Sequence, residues 1–246
     1  MDTNNTKASR KVLAKIPYVW KPLDKGYSDQ SLYVNVTTLT TEVRPVDPGV
    51  KELFVGGKGY GLRMLWDAVT PETKWYHPEN EIVISGGPVC GITQYSGTGK
   101  SICVALSPVT DRVVDSNVGG HFGPHLKFAG FDAFELQGIA REEVIIYING
   151  VDHEIEFFAP PRGLHVDSHL LAEELHEMFS DDEKDKINVS VVSAGLAADH
   201  SLIGMLNFSF YDPKRRKIRL KQAGRGGIGT LLRQKNVRAI VAKIPN

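Results

Sequence analysis

The chain has 246 residues, 41% of them hydrophobic, which is enough for one sizeable core or for a domain with an extension. Its 29 basic and 29 acidic residues balance, removing any general electrostatic pull toward nucleic acid or an anionic membrane. No apolar run nears the ~20 residues of a membrane span and the polar N-terminus has no signal-peptide h-region, so the reading is a soluble cytoplasmic protein. Cys90 and Cys103 form no CxxC pair and fall short of the about four thiolates that an iron–sulfur cubane takes. They read as buried thiols in strands.

Residues 1–30 read as an N-terminal extension, broken by Pro17, Pro22 and Gly26, that packs on a partner or another domain or stays disordered. Residues 31–246 read as the domain proper. LYVNVTTLTTEVRPV alternates like two short strands. FVGGKGYGLRMLWDAV places glycines ahead of a short helix, with Leu62, Leu65 and Trp66 at helical spacing. EIVISGG is a buried-type strand that ends in a turn, and SICVALSP and RVVDSN continue the strand pattern. HFGPHLKFA, residues 121–129, reads as a short helix with Phe122 and Leu126 on one face and Gly130 as its stop.

VIIYINGVDHEIEF predicts a hairpin closed by a two-residue type I′ turn at Asn149-Gly150. Ser168 is a candidate N-cap for a helix carrying Leu171, Leu175 and Met178. INVSVV, then LIGMLNFSFYD and KIRLKQ around a basic turn, then a glycine loop, a short helix and a last strand complete the chain. Strands dominate without a regular βα alternation, so the expected class is α+β, built on β-sheets.

Glycine is the unusual residue. There are 24, and many gather at 56–61, 86–91, 97–99, 119–123 and 224–229. Such clusters allow positive φ or close approach of a ligand to the main chain. They serve tight turns in a β-rich protein equally well, and spacing leaves both readings open. Gly97-Thr98-Gly99-Lys100-Ser101 ends like a Walker A loop, but Gln94 stands where the first glycine belongs and a strand follows in place of a helix. Gly57-Lys58-Gly59-Tyr60-Gly61 is not a dinucleotide fingerprint either.

Two segments carry more. Ser116-Asn117-Val118-Gly119-Gly120 and Ala223-Gly224-Arg225-Gly226-Gly227 each lead into a short helix, where backbone N–H groups can face an anion. Arg225 adds a planar donor fork suited to phosphate, with Lys221 just upstream. Two such loops suggest two ligands or one bis-phosphate ligand. His121 and His125, at i and i+4, are a conceivable metal pair without a third ligand. Lys214-Arg215-Arg216-Lys217 reads as a charged hairpin tip, and Glu173, Glu174 and Glu177 as a solvated helix face.

In order and spacing, GGKGYGLRMLWD, GGPVCG, SNVGGHFGPHLKFAGFDAFELQGIA and AGRGGIGTLLRQKNVRAIV resemble the N-terminal domain of aldehyde:ferredoxin oxidoreductases, over roughly residues 32–245. That family is in turn similar to the catalytic subunit of class II benzoyl-CoA reductases. The resemblance implies two β-sheets with pseudo-twofold symmetry and short helices, forming the base for a tungsten (or molybdenum) bis-pyranopterin. It implies phosphate or pterin contacts at Lys100, Gly119, Gly120, Lys221, Gly224, Arg225 and Gly226. It also implies a phosphate-bridging Mg held by the main-chain carbonyls of Asn117 and Gln222. The family usually has arginine where this chain has Lys100 and Lys221, and SAGLAADH replaces a PAGEN-like turn at 193–200.

No catalytic residue is assigned to this chain. The cysteines for a 4Fe-4S cluster are expected on a larger subunit or on the remainder of the protein, with a ferredoxin-like carrier as electron acceptor. The implied activity is oxidation of aldehydes to carboxylates. Reduction of an aryl-CoA thioester and a non-catalytic cofactor-binding or assembly module are the alternatives.

Overall fold

The computed structural model describes residues 10–92 and 94–245. Among these described residues, thirteen strands form two sheets. The first half of the chain supplies Gln30–Asn35 (β2), Thr40–Pro45 (β3), Ile82–Ser85 (β4), Ser101–Leu106 (β5), Val113–Val118 (β6) and Ala133–Gln137 (β7). The second half supplies Val144–Asn149 (β8), Glu154–Ala159 (β9), Val189–Ser193 (β10), Leu206–Asp212 (β11), Lys217–Ala223 (β12) and Val237–Lys243 (β13). Lys11–Pro17 (β1) joins the second sheet at its edge.

The six-stranded sheet has the order β3-β2-β7-β4-β5-β6, and the seven-stranded one β1-β9-β8-β13-β10-β11-β12. With β1 set aside, the two are the same sheet twice. A hairpin, β2/β3 or β8/β9, pairs in parallel with the last strand of its half, β7 or β13. That strand runs antiparallel to the meander β4–β5–β6 or β10–β11–β12. Helices repeat in the same places. Lys58–Ala68 (α2) and Ser168–Phe179 (α4) precede the meanders and lie on the outer faces of their sheets. Phe122–Phe128 (α3) and Ile228–Gln234 (α5) follow the meanders and pack between the sheets. The extra helix Pro48–Phe54 (α1) belongs to the first half alone. Two sheets with pseudo-twofold symmetry and short helices are the expected class, and the structure has it.

The central strands are buried on both faces, and their composition follows. In β8, Ile146 and Ile148 face the core between the sheets while Ile145 and Tyr147 face α4. Alternate side chains thus enter different cores, so VIIYIN can be apolar throughout.

Several local expectations are corrected. The β8/β9 hairpin exists, but Asn149 pairs with Glu154, leaving Gly150–His153 as the turn, with His153 at φ 56°. The Asn149 side chain accepts the N–H groups of Val151 and Asp152, an Asx turn that replaces the type I′ geometry. The cap of α4 is Asp167, which accepts from the N–H groups of His169 and Leu170, and Ser168 is already helical. Of the periodic set in α2, only Leu65 is buried, whereas Trp66 is 76% exposed. Helix α2 lies so close to β5 that a Cβ on Gly61 would sit 2.5 Å from Val104, so glycine stands at the contact and Leu65 packs beside it on Val104 and Leu106. Both cysteines are buried, Cys103 in β5 but Cys90 in the turn after β4. Within the extension, residues 1–9 lie outside the described residues, and β1 pairs with β9 of the chain's own sheet.

Candidate functional site

The pseudo-twofold makes the two glycine loops equivalent: each links the last meander strand to the inter-sheet helix, β6 to α3 and β12 to α5. It also brings them together. The Arg225 N–H donates to Ser116 Oγ at 3.0 Å, and Ser107 Oγ donates to the Gly226 carbonyl at 2.8 Å. The edge strands β6 and β12 therefore adjoin, and the SNVGG and AGRGG segments meet there.

Lys100 joins the first loop through strand pairing. Ser101 lies opposite Val118, which puts Lys100 beside Gly119. Backbone approaches backbone here: a Cβ on Gly99 would sit 2.3 Å from the Gly120 carbonyl oxygen, and Gly120 itself has φ 119°. Beside them opens a cavity of about 450 Å³ lined by Lys100, Gly119 and Gly120 together with His121, His125, Phe128 and Phe210.

Of the residues expected to bind a cofactor, Asn117, Lys221, Gln222, Gly224, Arg225 and Gly226 do not line this cavity. Gln222 lies opposite Asn207 on β11, with the two side-chain amides 3.5 Å apart. Lys221 pairs with Phe208 and Arg219 with Phe210, and cross-strand partners share a face. Both cations therefore belong to the side of the sheet that carries the cavity wall. The expected residues fall into two clusters along the chain, Lys100, Gly119 and Gly120 at the cavity and the others on β6, β12 and the loop after β12, linked where the Arg225 N–H meets Ser116.

The charge of these clusters is uncommitted. Lys100, Lys221 and Arg225 are exposed, and among the described residues none of their side chains has an ion-pair partner. The main chain is equally open: a Cβ on Gly97 or Gly119 would meet nothing within 4 Å. Room beside bare backbone and cations without counter-ions fit an anionic ligand such as a pterin phosphate. Arg225 provides a planar donor fork, while Lys100 and Lys221 provide point charges.

The cavity offers no metal-ligand set of its own. His121 and His125 stand with ring centroids 5.8 Å apart. Burial pushes the His125 imidazole down to about pH 3 and lowers that of His121 as well, so both are neutral near pH 7. No group of three or more His, Cys, Asp or Glu able to hold a metal occurs among the described residues. A metal here would bring most of its own ligands. Sequence reading had missed Phe128 and Phe210 as cavity walls, since no local pattern separates an aromatic that faces a cavity from one that faces a core.

Comparison with known proteins converges on one family. Residues 31–244 match the family described as aldehyde ferredoxin oxidoreductase, N-terminal domain. The chain is 30% identical over 220 residues to the tungsten-containing aldehyde ferredoxin oxidoreductase of Pyrococcus horikoshii, covering 89% of this chain and 33% of that protein. It is 29% identical over 228 residues to the aliphatic sulfonate oxidoreductase, WOR-like subunit, of Pyrococcus furiosus, covering 89% and 34%. Among solved structures, the active-site complex BamBC of benzoyl coenzyme A reductase, in complex with 1,5-dienoyl-CoA, is similar with a TM-score of 0.75 and 28% identity. That match covers 90% of this chain and 31% of the other. The chain spans about a third of the length of these relatives.

Proposed function

Because the chain belongs to the aldehyde ferredoxin oxidoreductase family, carrying its N-terminal domain over residues 31–244, we propose that it is the pterin-seating part of a tungsten (or molybdenum) oxidoreductase. The observation that carries this reading is the meeting of the two symmetry-related glycine loops at Ser116 and Arg225, with three unpaired cations around them. Two equivalent loops suit a ligand with two equivalent halves, and a bis-pyranopterin has one phosphate on each.

In this reading Lys100 and the Gly119 and Gly120 amides take one phosphate. Lys221, Arg225 and the Gly224 and Gly226 amides take the other. The Asn117 and Gln222 main-chain carbonyls would hold a magnesium ion, which would offset phosphate charge. When bound, dithiolene-held tungsten supplies the two-electron change by which an aldehyde and water become a carboxylate and protons. The chain's own task is to orient that group and to neutralise its phosphates. The 4Fe-4S cluster and the substrate pocket belong to the remainder of the protein or to a partner chain, and a ferredoxin-like carrier takes the electrons. Residues 31–246 carry this cofactor-binding domain, and residues 1–30 precede it as an extension. The setting is the cytoplasm of an anaerobe.

Loss of the guanidinium tests the assignment. Arg225→Ala, purified anaerobically with its partners, should hold at least about fivefold less tungsten per chain, since a charge-assisted phosphate contact is lost. Unchanged occupancy would remove Arg225 from the site. A second reading, reduction of an aryl-CoA thioester, is favoured by the likeness to the benzoyl-CoA reductase complex. Assaying the holo-complex with benzaldehyde against benzoyl-CoA separates the two.

A further inference from the structure

Residues 18–29 cross from β1 in the seven-stranded sheet to β2 in the six-stranded one, ahead of the matched family domain. On the way they bind both sides of one wall of the candidate cavity. That wall is Phe128, whose ring lies against Gly91: a Cβ there would sit 3.0 Å from the ring tip.

The first anchor is the C-terminal end of α3. Its last carbonyls have no partner within the helix. Trp20 Nε1 donates to the Phe128 carbonyl at 3.1 Å, and Tyr18 Oη donates to the Ala129 carbonyl at 2.8 Å. Burial pushes the Tyr18 phenol above its ordinary range, so it stays a donor. The Trp20 indole covers Gly130, where a Cβ would come within 3.2 Å, and it stacks on His153 from the β8/β9 turn.

The second anchor is the loop after β4. Gly26 packs on the Pro88 carbonyl so closely that a Cβ would fall 2.2 Å from it. Lys127, the residue before Phe128, donates to the Gly26 carbonyl at 2.7 Å. One segment thus touches both the Phe128 end of α3 and Pro88 in the loop after β4.

We infer that residues 18–29 act as a clamp that sets the spacing between Phe128 and the loop 86–91, with Tyr18 and Trp20 as positioning residues for the cofactor in the cavity. Only the link to cofactor rests on the tungstopterin reading; the clamp itself does not.

The test uses the full chain with whatever partners co-purify, as wild type, Trp20→Ala and Trp20→Phe. Amide exchange is measured over 86–92 and 122–131, with 237–243 as control, and tungsten per chain is measured alongside. Trp20→Ala should speed exchange in both wall segments by about fivefold, the effect of one lost hydrogen bond and its packing, and leave the control strand unchanged. Tungsten should fall in step. Trp20→Phe, which keeps a ring on Gly130 but has no N–H, should restore part of both. Unchanged exchange over 86–92 in Trp20→Ala overturns the clamp. Faster exchange with full tungsten retention overturns the positioning role. A wild type without tungsten sinks the cofactor reading separately, and the exchange comparison then decides the clamp alone.

Discussion

Two residues, one away from the candidate site and one in it, show how packing decides behaviour. Glu81, just before β4, is 1% exposed. Burial first, and the neighbouring Glu135 second, push its carboxyl up to about 8. The folded state therefore holds this proton more tightly than the unfolded chain does. Its contribution to stability is complete below the ordinary carboxylate range and is lost as pH rises toward 8. Glu81→Gln should melt with wild type near pH 5 and above it near pH 8, as thermal melts across that range would record. A wild-type excess at pH 8 would mean that Glu81 is ionised and paired. Gly99 is the second residue. Alanine there would collide with the Gly120 carbonyl, so Gly99→Ala should cost about 1–3 kcal/mol in chemical denaturation and reduce cofactor retention. Neither effect was legible in the sequence. The Glu81–Glu135 approach arises from the pairing of β4, which Glu81 precedes, with β7, and the Gly99–Gly120 approach from the pairing of β5 with β6.

At the scale of elements, the glycine loops were legible and their meeting was not. A glycine pair followed by a helical run announces itself locally, whereas the hydrogen bond that joins the loops spans 109 positions. The helix and strand assignments held for the same local reason. The turn at 149–150 failed because the Asn149 side chain took the backbone N–H groups, and the α4 cap fell one residue early because the Asp167 carboxylate took that role from Ser168. The turn from α3 into β7 illustrates a long-range element that the sequence hid. Lys127 and Asp132 form an ion pair with side chains 2% and 1% exposed. Asp132 also accepts the N–H groups of Ser28 and Asp29, tying the start of β2 to this turn. Asp132→Ala would strand a buried lysine and should cost about 3–5 kcal/mol in denaturant unfolding. A loss below 1 kcal/mol would mean that the lysine escapes to solvent.

For the whole molecule, the run of strand-like periods pointed to a sheet-based α+β domain, and the resemblance supplied the doubling that strand order then displayed. The halves do not advertise that doubling in their residues, because a shared topology needs only matching apolar periods. The seat and the chemistry are separable in this account. The chain offers cations and open backbone for an anionic cofactor, and its two cysteines fall short of the about four thiolates that a cubane cluster takes. Its likeness reaches about a third of each relative. The central claim is that this surface seats a tungstopterin. The most direct measurement is tungsten and pterin content per chain after anaerobic purification from the native source, with every co-purifying chain identified. Near-stoichiometric tungsten, two pterins per metal, and iron on a cysteine-rich remainder or partner are the expected result. A folded protein free of tungsten, molybdenum and pterin, and without a partner, would contradict it and make a non-catalytic module the better reading.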